Sequence, residues 1–391
     1  MSSNNINRRD FLVTAAGVAS TLVMDTKLTS ANTGTPPPPD LDHNSPIYKS
    51  WNASLQDLAQ VDVSNVLPDL NNKGFKERHK IYSLLLMKLI QRFWNGNKRG
   101  PLGVYPQRAR QIESPSGKAF RYRGDRGERV DNSDPNRISW DRYLGHNIAC
   151  LAVDGNGEII DFDFNHNDLF RSSAEHAEAR LVRRLFSLTD IMDSWKTGAQ
   201  ILGKSRAFSL TDVTLYTSLE SCAQCSGVMS LGRVGHVVFL QHDPGAYRIG
   251  NIMYNLAGPD PSGKTLAFAP LPIPGDAIDL LHFKNLDNSY AAFANARKQA
   301  KARGNVNGAF FISPDGTPDY APSITSFLCT DDAFAIFSQG GDDFDNMQLS
   351  DPGAKSLVNP TSWTNQECLD HAKQFYAYAD VQGFRGSPHK L

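Results

Sequence analysis

Cysteine is scarce in this sequence: five residues in 391, spread from Cys150 to Cys368, are too few and too scattered for the disulfide scaffold that small coreless secreted domains rely on. A surplus of positive charge is missing as well. Forty Lys and Arg stand against 41 Asp and Glu, a formal net charge of −1, so the chain lacks the clustered basic excess that phosphate binding needs and retains at most a local basic groove. No apolar run reaches the ~20 residues of a spanning helix; the best candidate, Phe11 to Met24, is about 14 residues long. Internal repeats and low-complexity segments are absent too. What the chain does have is core material: 40% apolar residues plus 30 glycines lie near the globular average of about 45–50%. At about 150 residues per domain, the length suggests two or three structural units.

The N-terminus reads Asn7-Arg8-Arg9-Asp10-Phe11-Leu12, followed by that soft apolar run and a polar stretch. The order resembles a twin-arginine export signal, which with its linker takes residues 1–35. An exported mature protein, periplasmic or secreted and without a stable membrane anchor, is expected. Pro36 to Pro39 then favour an extended, solvated segment.

From Lys76 to Trp94 the apolar positions Tyr82, Leu85, Leu86, Leu89 and Phe93 predict a helix with one buried face, within an N-terminal extension over 36–140. The Arg-rich stretch with Arg121, Arg123, Arg126 and Arg129 reads as a solvated loop and the best local basic rim. NIACLAVD and EIIDFDF flank Asp154-Gly155-Asn156-Gly157 and predict a hairpin. HAEARLVRRLFSL predicts a helix, 213–219 a strand, Cys222 to Leu231 a helix and 234–240 a strand. This order defines an α/β class, a three-layer α/β/α sandwich with a mixed sheet. A C-terminal extension follows over 259–391. There PDPSGKTLAFAPLPIPGD reads as loop, Asn288 to Arg303 as helix and GAFFISPDGTPDY as one short strand. The acidic run Gly340 to Asp345 reads as a solvated loop, since it lacks the spacing of a calcium loop.

Two short segments carry the chemistry. His176-Ala177-Glu178 opens one predicted helix and Cys222-Ala223-Gln224-Cys225 opens the next. One His and two Cys make the three protein ligands of a catalytic zinc, which keeps a fourth position for water, and Cys spaced three apart share one face of a helical turn. A helix N-terminus also favours thiolate over thiol. Glu178, two residues from the histidine, fits a general acid/base that is not itself a ligand. Ser221, with Gln224 three residues on, forms a capping-box pattern and is the expected N-cap. Cys150 reads as core, His236 and His242 as structural, and Cys329 with Cys368 as a pair that could bridge after export.

With these segments in view, the sequence resembles the cytidine deaminase-like zinc hydrolases, whose signature is H-x-E with P-C-x-x-C. The branch most similar contains bacterial tRNA adenosine deaminases and guanine deaminases, through Leu210 to Met229 and Arg233 to Phe239. The resemblance covers 141–258, the expected deaminase domain, and departs from the pattern at Ser221, where proline is usual, and in a longer connection from Thr189 to Ala207. It implies Zn2+ held by His176, Cys222 and Cys225, Glu178 as catalytic residue, and substrate contacts from Asn165 and Ala177, with His166 and Asn167 as bystanders. The implied reaction is hydrolytic deamination. Export and neutral charge favour a free nucleobase or nucleoside. The alternatives are a base within RNA or single-stranded DNA, and a non-catalytic zinc-stabilised exported binding domain. A second copy of the chain, forming a homodimer, is a further partner the sequence allows.

Overall fold

The computed structural model describes residues 53–94, 146–167, 172–186, 209–257, 268–306, 311–312, 317–321, 323–356 and 359–385, all of them within one compact unit, His43–Leu391. The signal-like segment 1–35, the proline run, the Arg-rich stretch at 121–129 and the whole connection 189–207 lie outside the described residues.

Two four-residue helices, α1 (Leu55–Leu58) and α2 (Val63–Val66), lead through a 3-10 turn at Pro68–Asn71 into α3 (Lys73–Arg92). Asn72 caps α3 by accepting the Phe75 N–H at 3.1 Å. The hairpin strands β1 (Ala149–Val153) and β2 (Ile159–Phe164) come next, then α4 (Ala177–Leu185), β3 (Thr214–Thr217), α5 (Ala223–Leu231), β4 (His236–Phe239), α6 (Ile249–Leu256) and β5 (Leu271–Pro274). After these run α7 (Leu281–Ala302), β6 (Phe311–Ile312), β7 (Pro318–Asp319), α8 (Ile324–Phe327), α9 (Asp331–Asp345) and α10 (Asn365–Arg385).

The five-stranded sheet has the order β2-β1-β3-β4-β5. β1 is antiparallel to both β2 and β3, whereas β3, β4 and β5 are mutually parallel. A hairpin requires the first relationship and helical crossovers permit the second: α5 links β3 to β4, and α6 lies between β4 and β5. In the hairpin turn Asp154 Oδ1 accepts the N–H groups of Asn156 and Glu158, each at 2.9 Å, and Gly157 takes φ +101°, open to glycine at little cost.

Helices cover both faces of the sheet, so the mixed-sheet sandwich expected from the element order is what the chain forms. On one face α4 and α5 pack Leu181, Val182, Leu185 and Met229 against Cys150, Ala152, Leu215 and Val237. On the other, α3, α9 and α10 pack Tyr82, Leu86, Phe337 and Phe375 against Leu151, Phe162, Tyr216 and Ile273. The sequence predicted one buried face for α3, but 14 of its 20 residues are buried, because sheet and C-terminal helices enclose it together. Its buried charged residues Glu77 and Arg78 are matched by the C-terminal segment. Glu77 accepts the Ser350 and Asp351 N–H groups at 2.6 and 3.0 Å, and Arg78 donates to Asn365 Oδ1, to Ser362 Oγ and to the Trp363 carbonyl.

Four expectations need correction. The acidic run is not a loop; it closes α9, and Gly340 and Gly341 serve packing, since a Cβ at Gly340 would lie 2.4 Å from Met87 Sδ on α3. The stretch read as loop around residue 272 contains β5, an edge strand in which Pro272 and Pro274 forgo an N–H where few partners exist. α7 starts at Leu281, seven residues before the expected Asn288, because its N-cap Leu280 makes no side-chain cap and leaves no signature. The short strand 311–312 has a partner, β7, in a two-stranded ladder.

Cys329 and Cys368 are both buried, and no disulfide joins them. Cys329 lies 4.0 Å from Asn147 Nδ2, before β1, while Cys368 lies against Gly157, after β1. The five residues of β1 between them span ~16 Å, beyond the ~7 Å Cα separation a disulfide tolerates. Cys150 is a core residue in β1, as expected.

Candidate active site

The sheet brings two helix N-termini together. β2 ends at Phe164 and leads to α4, whose N-cap is His176; β3 ends at Thr217 and leads to α5, whose N-cap is Cys222. Both N-caps have extended backbone and no side-chain cap, so imidazole and thiol are free of capping duty. Here the structure departs from the capping-box expectation: the helix is entered one residue later than Ser221, and Gln224 donates instead to the Ala174 carbonyl at 2.8 Å.

His176, Cys222 and Cys225 form a cluster whose ligand atoms lie within 4.8 Å of one another. His176 Nδ1 is 3.5 Å from Cys222 Sγ and 3.6 Å from Cys225 Sγ. These groups share protons. The Cys222 thiol is pulled down to about 4, first by the hydrogen bond from Cys225 and then by His176, against the opposing effect of burial. The bond to Cys222 and burial both push the Cys225 thiol up, and the bond to Cys222 raises His176. Three donors that can share one metal ion therefore stand at one point.

Glu178, in the first turn of α4, is 3% exposed, and burial raises its carboxyl above the ordinary range. Its Oε1 accepts from Thr217 Oγ1 at 3.1 Å and from Ser221 Oγ at 3.2 Å, while Oε2 lies 3.5 Å from Cys225 Sγ. Asn165, 1% exposed, follows β2 and accepts the Ala177 N–H at Oδ1, 2.7 Å away. It supplies the cap that His176 does not. Its Nδ2 donates to no other group among the described residues. Ala177 is fully buried between the metal-ligand candidate and the carboxylate, and what it offers is this backbone N–H. His166 is buried, with Nδ1 2.8 Å from the Phe164 carbonyl, and takes no part in the cluster. His242 pairs with Asp287 at 2.7 Å and is structural, as expected.

Two features went unread in the sequence. Asp161 and Asp163 of β2 meet Arg180 and Arg184 of α4 in a buried network: Asp163 Oδ2 is 3.1 Å from Arg180 Nε and 2.6 Å from Arg184 Nη1, and Asp161 Oδ2 is 2.8 Å from Arg184 Nε. Carboxylates two apart on a strand and guanidiniums four apart on a helix are the signal that could have revealed it. Asp243, after β4, is the second. Its N–H donates to Glu220 Oε2 at 3.2 Å, and its carboxyl is raised chiefly by burial, with the charges of Cys222 and His176 also acting on it. Nothing in its local sequence marks it.

Fold and site together define an α/β sandwich with a His/Cys/Cys cluster beside a buried glutamate. No protein-family model matches the chain, and no curated protein does. Among solved structures, one from a study of A-to-I editing by tRNA:A34 deaminases at the wobble position of transfer RNA is 20% identical, with a TM-score of 0.23, covering 36% of this chain and 83% of that one. Guanine deaminase from Bacillus subtilis is 25% identical, with a TM-score of 0.20, covering 27% of this chain and 57% of that one. The chain thus spans a little over half of the guanine deaminase.

Proposed function

We propose that the protein is an exported, zinc-dependent deaminase that releases ammonia from a free nucleobase or nucleoside. The observation that carries this reading is the pairing of a buried carboxylate with a donor set of the right size. Tetrahedral zinc, with Zn–S near 2.3 Å and Zn–N near 2.05 Å, sets a sulfur-to-nitrogen edge of about 3.6 Å. The two edges here measure 3.5 and 3.6 Å. His176 Nδ1, Cys222 Sγ and Cys225 Sγ are the groups that would hold the ion. When bound, zinc supplies Lewis acidity that brings the pKa of water to about 7.

The remaining work belongs to the chain's own residues. Glu178 Oε2 takes one proton from water and gives it to a ring nitrogen, then takes the second from the newly bound hydroxyl and gives it to the departing amine. A C–O bond forms at the ring carbon, the C–N bond breaks and ammonia leaves. Asn165 Nδ2 is the donor available to orient the base, and the Asn165–Ala177 bond fixes its direction. The near-neutral charge supports a small substrate over a polynucleotide, and the signal-like segment supports export.

A panel of free bases and nucleosides, read by ammonia release and by mass spectrometry, tests the reading. Activity should vanish in Glu178→Ala while zinc stays near one per chain. Loss of zinc in that variant would make Glu178 structural and the mechanism wrong. Steep salt dependence of oligonucleotide binding would favour a polynucleotide substrate. Zinc without any deamination would favour the binding domain.

A further inference from the structure

The Glu178 carboxylate is gripped by a hydroxyl that the family resemblance does not supply. Oε1 receives two hydroxyl donors, Thr217 Oγ1 at 3.1 Å and Ser221 Oγ at 3.2 Å, while Oε2 accepts from Cys225 Sγ at 3.5 Å, on the side of the cluster. Thr217 is fully buried and Ser221 is 5% exposed. The two donors stand at either end of the short link from β3 to α5, so one piece of backbone holds one carboxylate oxygen. The last torsion of a glutamate is broad and two-fold, and two hydroxyls on one oxygen, with only a weak thiol donor on the other, distinguish the two oxygens and fix the carboxyl plane.

At the position of Ser221 the resembled signature carries proline, which has no hydroxyl. A serine just before a helix ordinarily spends its hydroxyl on the helix N–H groups. Here the N-cap is Cys222, one residue later, and Ser221 Oγ turns to Glu178 instead. The Ser221 carbonyl is held in turn by Ser226 Oγ at 3.4 Å. We infer that Ser221 is a positioning residue of this chain: with Thr217 it pins Oε1 toward the β3–α5 link and thereby aims Oε2 at the His/Cys/Cys cluster. Its kinetic consequence rests on the deaminase reading; its geometric consequence does not.

The test uses the full chain, zinc-loaded for kinetics and metal-stripped for spectroscopy. Ser221→Ala lowers kcat about tenfold with KM within about twofold, and Ser221→Thr, which keeps the hydroxyl, stays within about threefold of wild type. Ser221→Pro behaves like Ser221→Ala although it restores the signature residue. The second readout is the infrared carboxylate stretch of Glu178, assigned by subtracting the spectrum of Glu178→Gln. It moves in Ser221→Ala and holds in Ser221→Thr. An unmoved band in a cooperatively unfolding Ser221→Ala overturns the inference, as does a loss of kcat that Ser221→Thr fails to rescue. If wild type deaminates nothing on the panel, the activity reading falls and the infrared arm alone decides on Ser221.

Discussion

The side-chain oxygen of Asn165 accepts the backbone N–H of Ala177 at 2.7 Å, so the residue just after β2 caps the helix that begins at His176 and carries Glu178. One amide thus holds the metal-ligand candidate and the buried Glu178 in register.

The two ends of Asn165 can be separated. Asn165→Ala loses the cap and with it about 1 kcal/mol of stability. Its turnover falls as well. Asn165→Asp keeps an acceptor at a helix N-terminus, which favours negative charge, but replaces the Nδ2 donor. Urea midpoints near wild type combined with a KM raised about tenfold are expected for Asn165→Asp. Wild-type KM in that variant would remove Nδ2 from substrate binding.

Asp163 is the centre of the buried network and has no exposed side-chain surface. Removing it takes a buried carboxylate from both arginines, although Arg184 keeps Asp161 at 2.8 Å and Arg180 keeps Glu175 at 2.6 Å. Asp163→Ala should therefore cost ~3–5 kcal/mol in chemical denaturation. A double-mutant cycle with Arg184→Ala should show strong coupling, since Arg184 without Asp163 is the costly state. Additive losses would mean that the network contributes packing rather than charge.

His79, on α3, is buried, with Nδ1 2.8 Å from the Tyr216 hydroxyl. Burial, aided by His236 and Arg78, pulls its pKa from 6.5 to about 3. A histidine that is neutral when folded and titrates near 6.5 when unfolded leaves the unfolded state with more protons between those values. Stability is then full above about 6.5 and falls as pH drops toward 3, with a slope approaching ~1.4 kcal/mol per pH unit. Glu77 and His236, lowered as well, titrate in the same acid range, so the comparison with His79→Gln isolates the term. The variant should lose less stability than wild type between pH 7 and pH 5 in urea titrations. Parallel curves would mean that His79 takes up its proton in the folded protein.

Much of this was legible because local pattern and tertiary demand agree. The β1–β2 alternation, the turn Asp154–Gly157 and the three-residue spacing of Cys222 and Cys225 each need only neighbours to be read. What escaped depends on distant chain. Gly340 and Gly341 look like helix breakers until α3 is placed beside them, and the prolines of β5 look like loop until the strand is seen at a sheet edge. Glu178 was legible as an acid/base candidate two residues from His176, but its hold by Ser221 joins residues 43 apart and no periodicity encodes it.

The closure of α3 by the C-terminal segment also sets an order of events in time. Arg78 and Asn365 are 287 residues apart, and at about 5–20 residues per second the helix waits roughly 15–60 s for its partner to be made. During that interval one flank of a helix rich in Leu, Ile and Met lacks its cover, while α4 and α5, with the cluster at their tips, can already pack on the sheet. The chemistry-bearing layer is assembled from chain made early, and the opposite layer is sealed by chain made late. A ribosome paused before residue 350 would hold a nascent chain whose ligand cluster can gather while α3 still lacks the segment that binds Glu77.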